Sequence, residues 1–195
     1  MHSSSLQKMK SFVDKFLPEK IGQPLRILDV GSQDVNGSYK QLFDQPKWQY
    51  TGLDVTAGKN VDVVVADIYD WQEIPSNSYD VIISGQALEH IEYFWITIME
   101  ISRVLKSHGL CCLIAPSSGP AHRYPVDCYR FFSDGLTALA KYSDFQILSV
   151  ATDWNNDPDN TWKDSMIVMQ KPDYNLSEKI KKKLKNYLAK KILSL

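Results

Sequence analysis

Apolar positions along the chain follow two alternating rhythms. Leu6, Met9, Phe12, Val13, Phe16 and Leu17 recur at helical spacing, so the chain opens with an amphipathic helix that Pro18 stops. Leu25–Val30 is a short apolar run, the pattern of a buried strand. A short helix is expected over Ser38–Phe43, broken before Pro46. Tyr50–Val55 and the valine-rich Val61–Ala66 read as the second and third strands, and Tyr79–Ser84 as the fourth. Leu88, Ile91, Trp95, Ile98, Ser102 and Leu105 share one helical face. They predict a long helix from about Ala87 to Lys106, with Gly109 as its left-handed cap. Leu110–Ala115 reads as the fifth strand. Ser133 is placed to cap a helix over Leu136–Tyr142. Phe145–Thr152 and Ser165–Gln170 form a late strand pair, joined by the polar loop Asp153–Asp164.

Strands alternating with helices predict an α/β fold with a mainly parallel sheet covered on both faces. Ligands of such sheets bind beyond the carboxyl ends of the strands, where the strand order reverses. Several acids stand at those ends. Asp29 closes the first strand, and the turn Gly31-Ser32-Gln33-Asp34-Val35-Asn36-Gly37 follows it. Asp54 closes the second strand, 25 residues after Asp29, and Asp67 follows the third. A carboxylate at the tip of a second strand can accept hydrogen bonds from both hydroxyls of a ribose. Asp67 can accept from the exocyclic amine of an adenine packed on Ile68, or it can simply cap a helix. A pyrophosphate site would require G-x-G-x-x-G. Here Gln33 replaces the second glycine, and Asp34 would repel phosphate. Asp29, Asp54, Asp67 and Glu89 together favour a cationic ligand without phosphate.

The strings ILDVGS, YTGLDV, VVADIYD, YDVIISGQALEHI and ISRVLKSHGLCCLIAPS cover Leu25–Ser117 in order. In order and spacing they resemble the successive motifs of class I S-adenosylmethionine-dependent methyltransferases, small-molecule branch. The resemblance implies a Rossmann-like seven-stranded sheet with an antiparallel last strand inserted beside the fifth. It implies S-adenosyl-L-methionine as methyl donor and S-adenosyl-L-homocysteine as product. Asp29, Gly31 and Ser32, with Gln33 beside them, would hold the methionine end. Asp54 and Val55 would hold the ribose, and Asp67 with Ile68 the adenine. Gly85 and Gln86 would floor the site near the sulfonium. A non-catalytic nucleoside-binding module is the alternative.

The acceptor side is read from the fourth-strand end and the loop after the fifth. His90 and His122 are candidate bases, and Asp127 is grouped with them as catalytic. Tyr124, Arg130 and Trp154 are candidate acceptor contacts, although an Asp127–Arg130 ion pair could equally brace the loop. Trp154 and Trp162, flanking the polar loop 155–161, could wall the same pocket, with core packing expected for at least one of them. The string YPVDCYRFF followed by SDGLTAL resembles a bacterial subgroup associated with glycan and secondary-metabolite pathways, which implies a small-molecule acceptor such as a sugar or glycan precursor. No metal-ligand spacing is evident.

Composition narrows this picture. The chain has 195 residues and 44% hydrophobic content, enough for one domain over residues 1–174. Its net charge of −1 hides an asymmetry. Asn175–Leu195 carries seven lysines and one glutamate, leaving an acidic body that argues against nucleic acid as partner. In the tail, Ile180, Leu184, Leu188 and Ile192 form an apolar stripe on a lysine-rich helix over 175–195. That helix could meet an anionic membrane or a protein, or dock on its own domain with its lysines solvated. His2–Ser5 carries no signal. Cys111, Cys112 and Cys128 are read as free thiols, with the first two on opposite strand faces. No apolar h-region or spanning run is visible, so a cytoplasmic protein is expected.

Overall fold

The computed structural model describes residues 2–155 and 160–193. The centre of the polar loop before Asp164 and the last two tail residues lie outside them. The strands are β1 (Leu25–Val30), β2 (Trp48–Asp54), β3 (Val63–Val64), β4 (Tyr79–Gly85), β5 (Leu105–Ala115), β6 (Gln146–Thr152) and β7 (Ser165–Gln170). The helices are α1 (Ser3–Phe16), α2 (Phe94–Val104), α3 (Ser133–Tyr142) and α4 (Leu176–Leu193). One sheet runs β3-β2-β1-β4-β5-β7-β6. All pairs from β3 to β5 are parallel, while β7 is antiparallel to both β5 and β6. The expected seven-stranded sheet is therefore present, with the last strand beside the fifth.

Side chains alternate between two apolar layers, as strands covered on both faces require. Leu28, Val30, Ile82, Cys111 and Leu113 enter one layer. Ile27, Ile83, Cys112 and Ile114 enter the other, where Met9 and Phe12 of α1 cover them. Cys111 and Cys112 thus point to opposite faces as expected, and Cys128 is exposed.

Four local expectations are corrected. The long helix begins at Phe94, not near Ala87. Leu88–His90 is a single 3-10 turn and Ile91 is extended, because the backbone carbonyl of Glu89 receives the N–H groups of Cys128 and Tyr129. The left-handed residue is His108, within β5, not Gly109. Gly109 is close-packed instead: a Cβ there would lie 2.8 Å from Leu105 Cδ1. Ser133 is the first residue of α3, with Phe132 as its N-cap, and the Ser133 N–H donates to Thr152 Oγ1. The third strand shrinks to Val63–Val64 at the sheet edge.

The tail helix docks on its own domain, but with lysines inward and not solvated as the docked alternative expected. Lys182 donates to the Ser143 carbonyl and Lys185 to the Tyr142 carbonyl at the end of α3. Cations satisfy orphan carbonyls at a helix C-terminus and complement its dipole. Lys190 reaches Asp70 at 2.8 Å and Glu100 at 3.3 Å. The apolar stripe faces solvent: Ile180, Leu184 and Ile192 are exposed. Among the described residues, no helix is long and apolar enough to cross a membrane.

Candidate active site

The strand order reverses between β1 and β4, and a cavity of about 720 Å³ opens at their carboxyl ends. That volume is ordinary for a small-molecule site. Asp29, Gly31, Ser32, Gln33, Asp54, Val55, Ile68, Gly85, Gln86, His90, His122 and Tyr124 all line it.

Each position has a local cause. Gly31 turns the chain at φ +78, and a Cβ there would lie 2.5 Å from Ala87 Cβ, so only glycine fits. Gln86 holds the left-handed φ of +60 at the end of β4. Its amide donates to Asp164 Oδ1 at 3.0 Å and to Ser5 Oγ at 3.3 Å, which holds this strained backbone in place. The Asp54 carboxylate accepts from the backbone N–H of Gln33, Val55 and Thr56. A carboxylate has about four acceptor sites, so capacity remains for a ligand hydroxyl. Asp34 does not add free charge, because Lys59 pairs with it at 2.6 Å.

Asp29 is buried and accepts a hydrogen bond from the Tyr50 hydroxyl. Burial pushes its carboxyl up to about 7, against the pull of Tyr50 and with a push from Asp54. A nearby cation would favour the ionised form. Glu89 is fully buried, and neither carboxylate oxygen has a hydrogen-bond partner among the described residues. Burial raises its carboxyl to about 8. Burial lowers the His90 imidazole, whose Nδ1 lies 2.6 Å from the Val126 carbonyl.

The structure separates four other residues from this cavity. Asp67 does not line it, because its carboxylate accepts the Tyr69 N–H at 2.8 Å in a local turn. Asp127 is tied to Arg130 at 2.6 and 2.9 Å and to the His122 N–H at 2.7 Å. These bonds hold its carboxyl well below the usual range. Arg130 also donates to the Pro120 carbonyl, so the pair braces the loop. Trp154 stacks on Phe132 at 5.8 Å, away from the cavity, and stays exposed.

Trp162, a candidate wall residue from the sequence, and His2, which had no sequence signal, take their places. Trp162 lines the cavity and packs against His122 with ring centres 4.6 Å apart. His2 lines it too, stacked on Trp162. Ser4 donates to Asp164 at 2.7 Å, and Ser5 bonds the Tyr39 hydroxyl at 2.6 Å. The amino-terminal segment is thus part of the site wall. Its partners lie as far as 160 residues away, so no local pattern could announce them.

A doubly covered parallel sheet, a glycine turn after β1 and an acid at the tip of β2 are the parts that nucleoside-binding α/β domains use. Residues 28–113 match the family model described as a methyltransferase domain. Over that segment, which is less than half of the chain, the sequence is similar to a methyltransferase domain. No curated protein sequence matches the chain. Among solved structures, the chain is similar to Burkholderia thailandensis 1,6-didemethyltoxoflavin-N1-methyltransferase with bound 1,6-didemethyltoxoflavin and S-adenosylhomocysteine. That match has 15% identity and a TM-score of 0.67, and covers 87% of this chain and 79% of that one. It is similar to the CurJ carbon methyltransferase at 14% identity and a TM-score of 0.62, covering 83% of this chain and 51% of that one. It is also similar to the [4+2]-cyclase SpnF at 17% identity and a TM-score of 0.61, covering 85% and 82%.

Proposed function

We propose that the chain transfers the methyl group of S-adenosylmethionine to a small, hydroxyl-bearing acceptor such as a sugar or glycan precursor. One observation carries the reading: a single cavity joins the acid-rich β1–β2 rim to an acceptor wall of His90, His122 and Trp162. The cofactor's ammonium and sulfonium match the Asp29 side of that cavity. Asp54 takes the ribose hydroxyls, Ile68 packs on the adenine, and Gly85 with Gln86 floors the reacting sulfur. Asp67 orders the β3 end behind Ile68 rather than touching the base. Methyl transfer depends on alignment and on an environment that favours charge loss at sulfur. The loop 116–132 closes over the cavity through Tyr124, which supplies both the alignment and the exclusion of water.

Isothermal titration of S-adenosylhomocysteine into the folded chain tests the cofactor half. Methyl transfer to a panel of hydroxylated sugars tests the acceptor half. Absence of cofactor binding would reject the reading.

A second reading concerns the tail. The exposed stripe of α4 is flanked by the exposed Lys179, Lys181, Lys183 and Lys191. An apolar stripe edged with cations suits an anionic bilayer surface. The domain would then act where its acceptor is lipid-linked, or serve as a membrane-bound binding module without transfer.

A further inference from the structure

Glu89, His90 and His122 bring one donor atom each within 4.8 Å of one another. The Glu89 carboxylate has no exposed surface and no hydrogen-bond partner among the described residues. Such a group costs several kcal/mol unless something compensates it. Its Oε1 lies 3.7 Å from His90 Nε2 and 4.0 Å from His122 Nε2. Those gaps are too long for hydrogen bonds. They suit an ion: at metal–ligand distances of about 2.1 Å, ligand atoms stand roughly 3.0–3.5 Å apart. The three donor atoms span up to 4.8 Å, so a side-chain closure of about 1–2 Å across the widest gap completes the site.

The outer contacts point the same way. Both imidazoles turn Nε2 toward Glu89 because an oxygen faces the other nitrogen. His90 Nδ1 meets the Val126 carbonyl at 2.6 Å, and His122 Nδ1 faces Asp127 Oδ2 at 3.5 Å. The Val126 carbonyl fixes the His90 tautomer, as such partners do for a metal-binding histidine, while His122 Nδ1 makes no hydrogen bond among the described residues and has the Asp127 carboxylate only as a near charge. Arg130 in turn fixes Asp127 from both of its terminal nitrogens. Asp127 and Arg130 are therefore positioning residues. His122 is braced edge-on between His90 and Trp162, at ring distances of 4.9 and 4.6 Å.

We propose that Glu89, His90 and His122 bind one divalent transition-metal ion whose open positions take hydroxyl oxygens of the methyl acceptor. Two imidazoles and one carboxylate favour Zn2+, Fe2+, Co2+ or Mn2+ over Mg2+ and Ca2+, which prefer oxygen donors. Both Nε2 lone pairs are then occupied, so neither histidine serves as base. The ion acidifies the bound hydroxyl. The oxygen–methyl bond forms as the sulfur–methyl bond breaks, the bonding pair stays on sulfur, and the hydroxyl proton passes to water. The acceptor role rests on the methyl-transfer reading; the ion site does not.

The test uses the full chain, stripped with a chelator and titrated with Co2+. Visible absorption and calorimetry report the ion, and S-adenosylhomocysteine titration reports the cofactor pocket. One Co2+ per chain is expected. Affinity should fall at least about 100-fold in His122→Ala and Glu89→Gln, and about 10- to 100-fold in Asp127→Asn. S-adenosylhomocysteine binding should persist in every variant. A folded wild-type chain that takes up no Co2+ overturns the proposal, as does uptake unchanged by His122→Ala and Glu89→Gln. Co2+ uptake without S-adenosylhomocysteine binding leaves the ion site standing and removes the methyl-transfer reading instead.

Discussion

The Tyr124 hydroxyl donates to the side-chain oxygen of Gln33, 3.1 Å away and 91 residues back along the chain. This bond links the loop after β5 to the turn after β1 across the cavity mouth. Tyr124 is about half exposed, so the bond is worth about 0.5–1.5 kcal/mol. Tyr124→Phe should speed dissociation of S-adenosylhomocysteine about 2- to 10-fold, with association little changed. Stopped-flow fluorescence checks both rates. Unchanged dissociation would remove the closing role.

Asp54 has two duties, since it caps three backbone N–H groups and faces the cavity. Asp54→Ala should weaken S-adenosylmethionine binding about 10- to 100-fold. Asp54→Asn keeps an oxygen for the Val55 and Thr56 amides and should fall between the two. Calorimetric Kd values decide, and equal values for wild type and Asp54→Ala would exclude a ribose contact.

Asp29 makes stability and cofactor affinity depend on pH in opposite senses. Tyr50, Tyr39 and Asp54 face its carboxyl, which titrates at about 7 in the fold against 3.8 for the free group. Between those values the folded chain keeps a proton that the unfolded chain has lost. Its contribution to stability therefore declines as pH rises from about 4 to about 7, by of order 2–4 kcal/mol, and then levels. Asp29→Asn should remove that slope in urea midpoints measured across the range. A cationic cofactor favours ionised Asp29, so S-adenosylmethionine should bind more tightly as pH rises toward 7, with proton release. Calorimetry in buffers of differing ionisation enthalpy measures the released proton.

Glu100 is the buried hub beneath the tail. It accepts from the Trp71 N–H, from Arg103 at 2.7 and 2.9 Å, and from Asn186 and Lys190. Glu100→Ala removes an acceptor shared by all four donors, leaving Arg103 and Lys190 only their other partners, and should cost about 3 kcal/mol, or roughly 6–12 °C in Tm by calorimetry. Protease cleavage near α4 should quicken in the same variant. A Tm within a degree of wild type would contradict the hub.

The exposed stripe of α4 predicts co-sedimentation with phosphatidylglycerol vesicles at low salt. Ile180→Glu combined with Leu184→Glu should abolish it without lowering Tm, because neither side chain is buried. Equal pelleting of both proteins would sink the membrane contact.

Much of the fold was legible because strands buried on both faces leave continuous apolar runs, and Leu25–Val30 matches its predicted bounds. The acid-rich rim of the cavity was legible for a related reason. Strand ends place Asp29 and Asp54 on the cavity without help from distant residues. The helix start after β4 was misread because the apolar period continues through Leu88 and Ile91. There the backbone turns aside to serve the loop after β5. Ser133 is not the cap because the helix starts one turn earlier than its apolar pattern: Phe132 is the extended cap residue, and Thr152 of β6 receives the N–H of Ser133 as the first helical residue.

Taken alone, then, the sequence determined the layer architecture, the glycine turn and the acid-rich rim, since each follows from local periodicity and strand-end chemistry. Only the tertiary structure decided which polar residues meet. It drew Asp127 and Arg130 into a brace, turned Trp154 outward, brought His2 to the wall, and set Lys182, Lys185 and Lys190 of the tail inward. The physical reason is that these outcomes depend on pairing buried charges and orphan carbonyls across long sequence separations, which hydrophobic spacing does not encode.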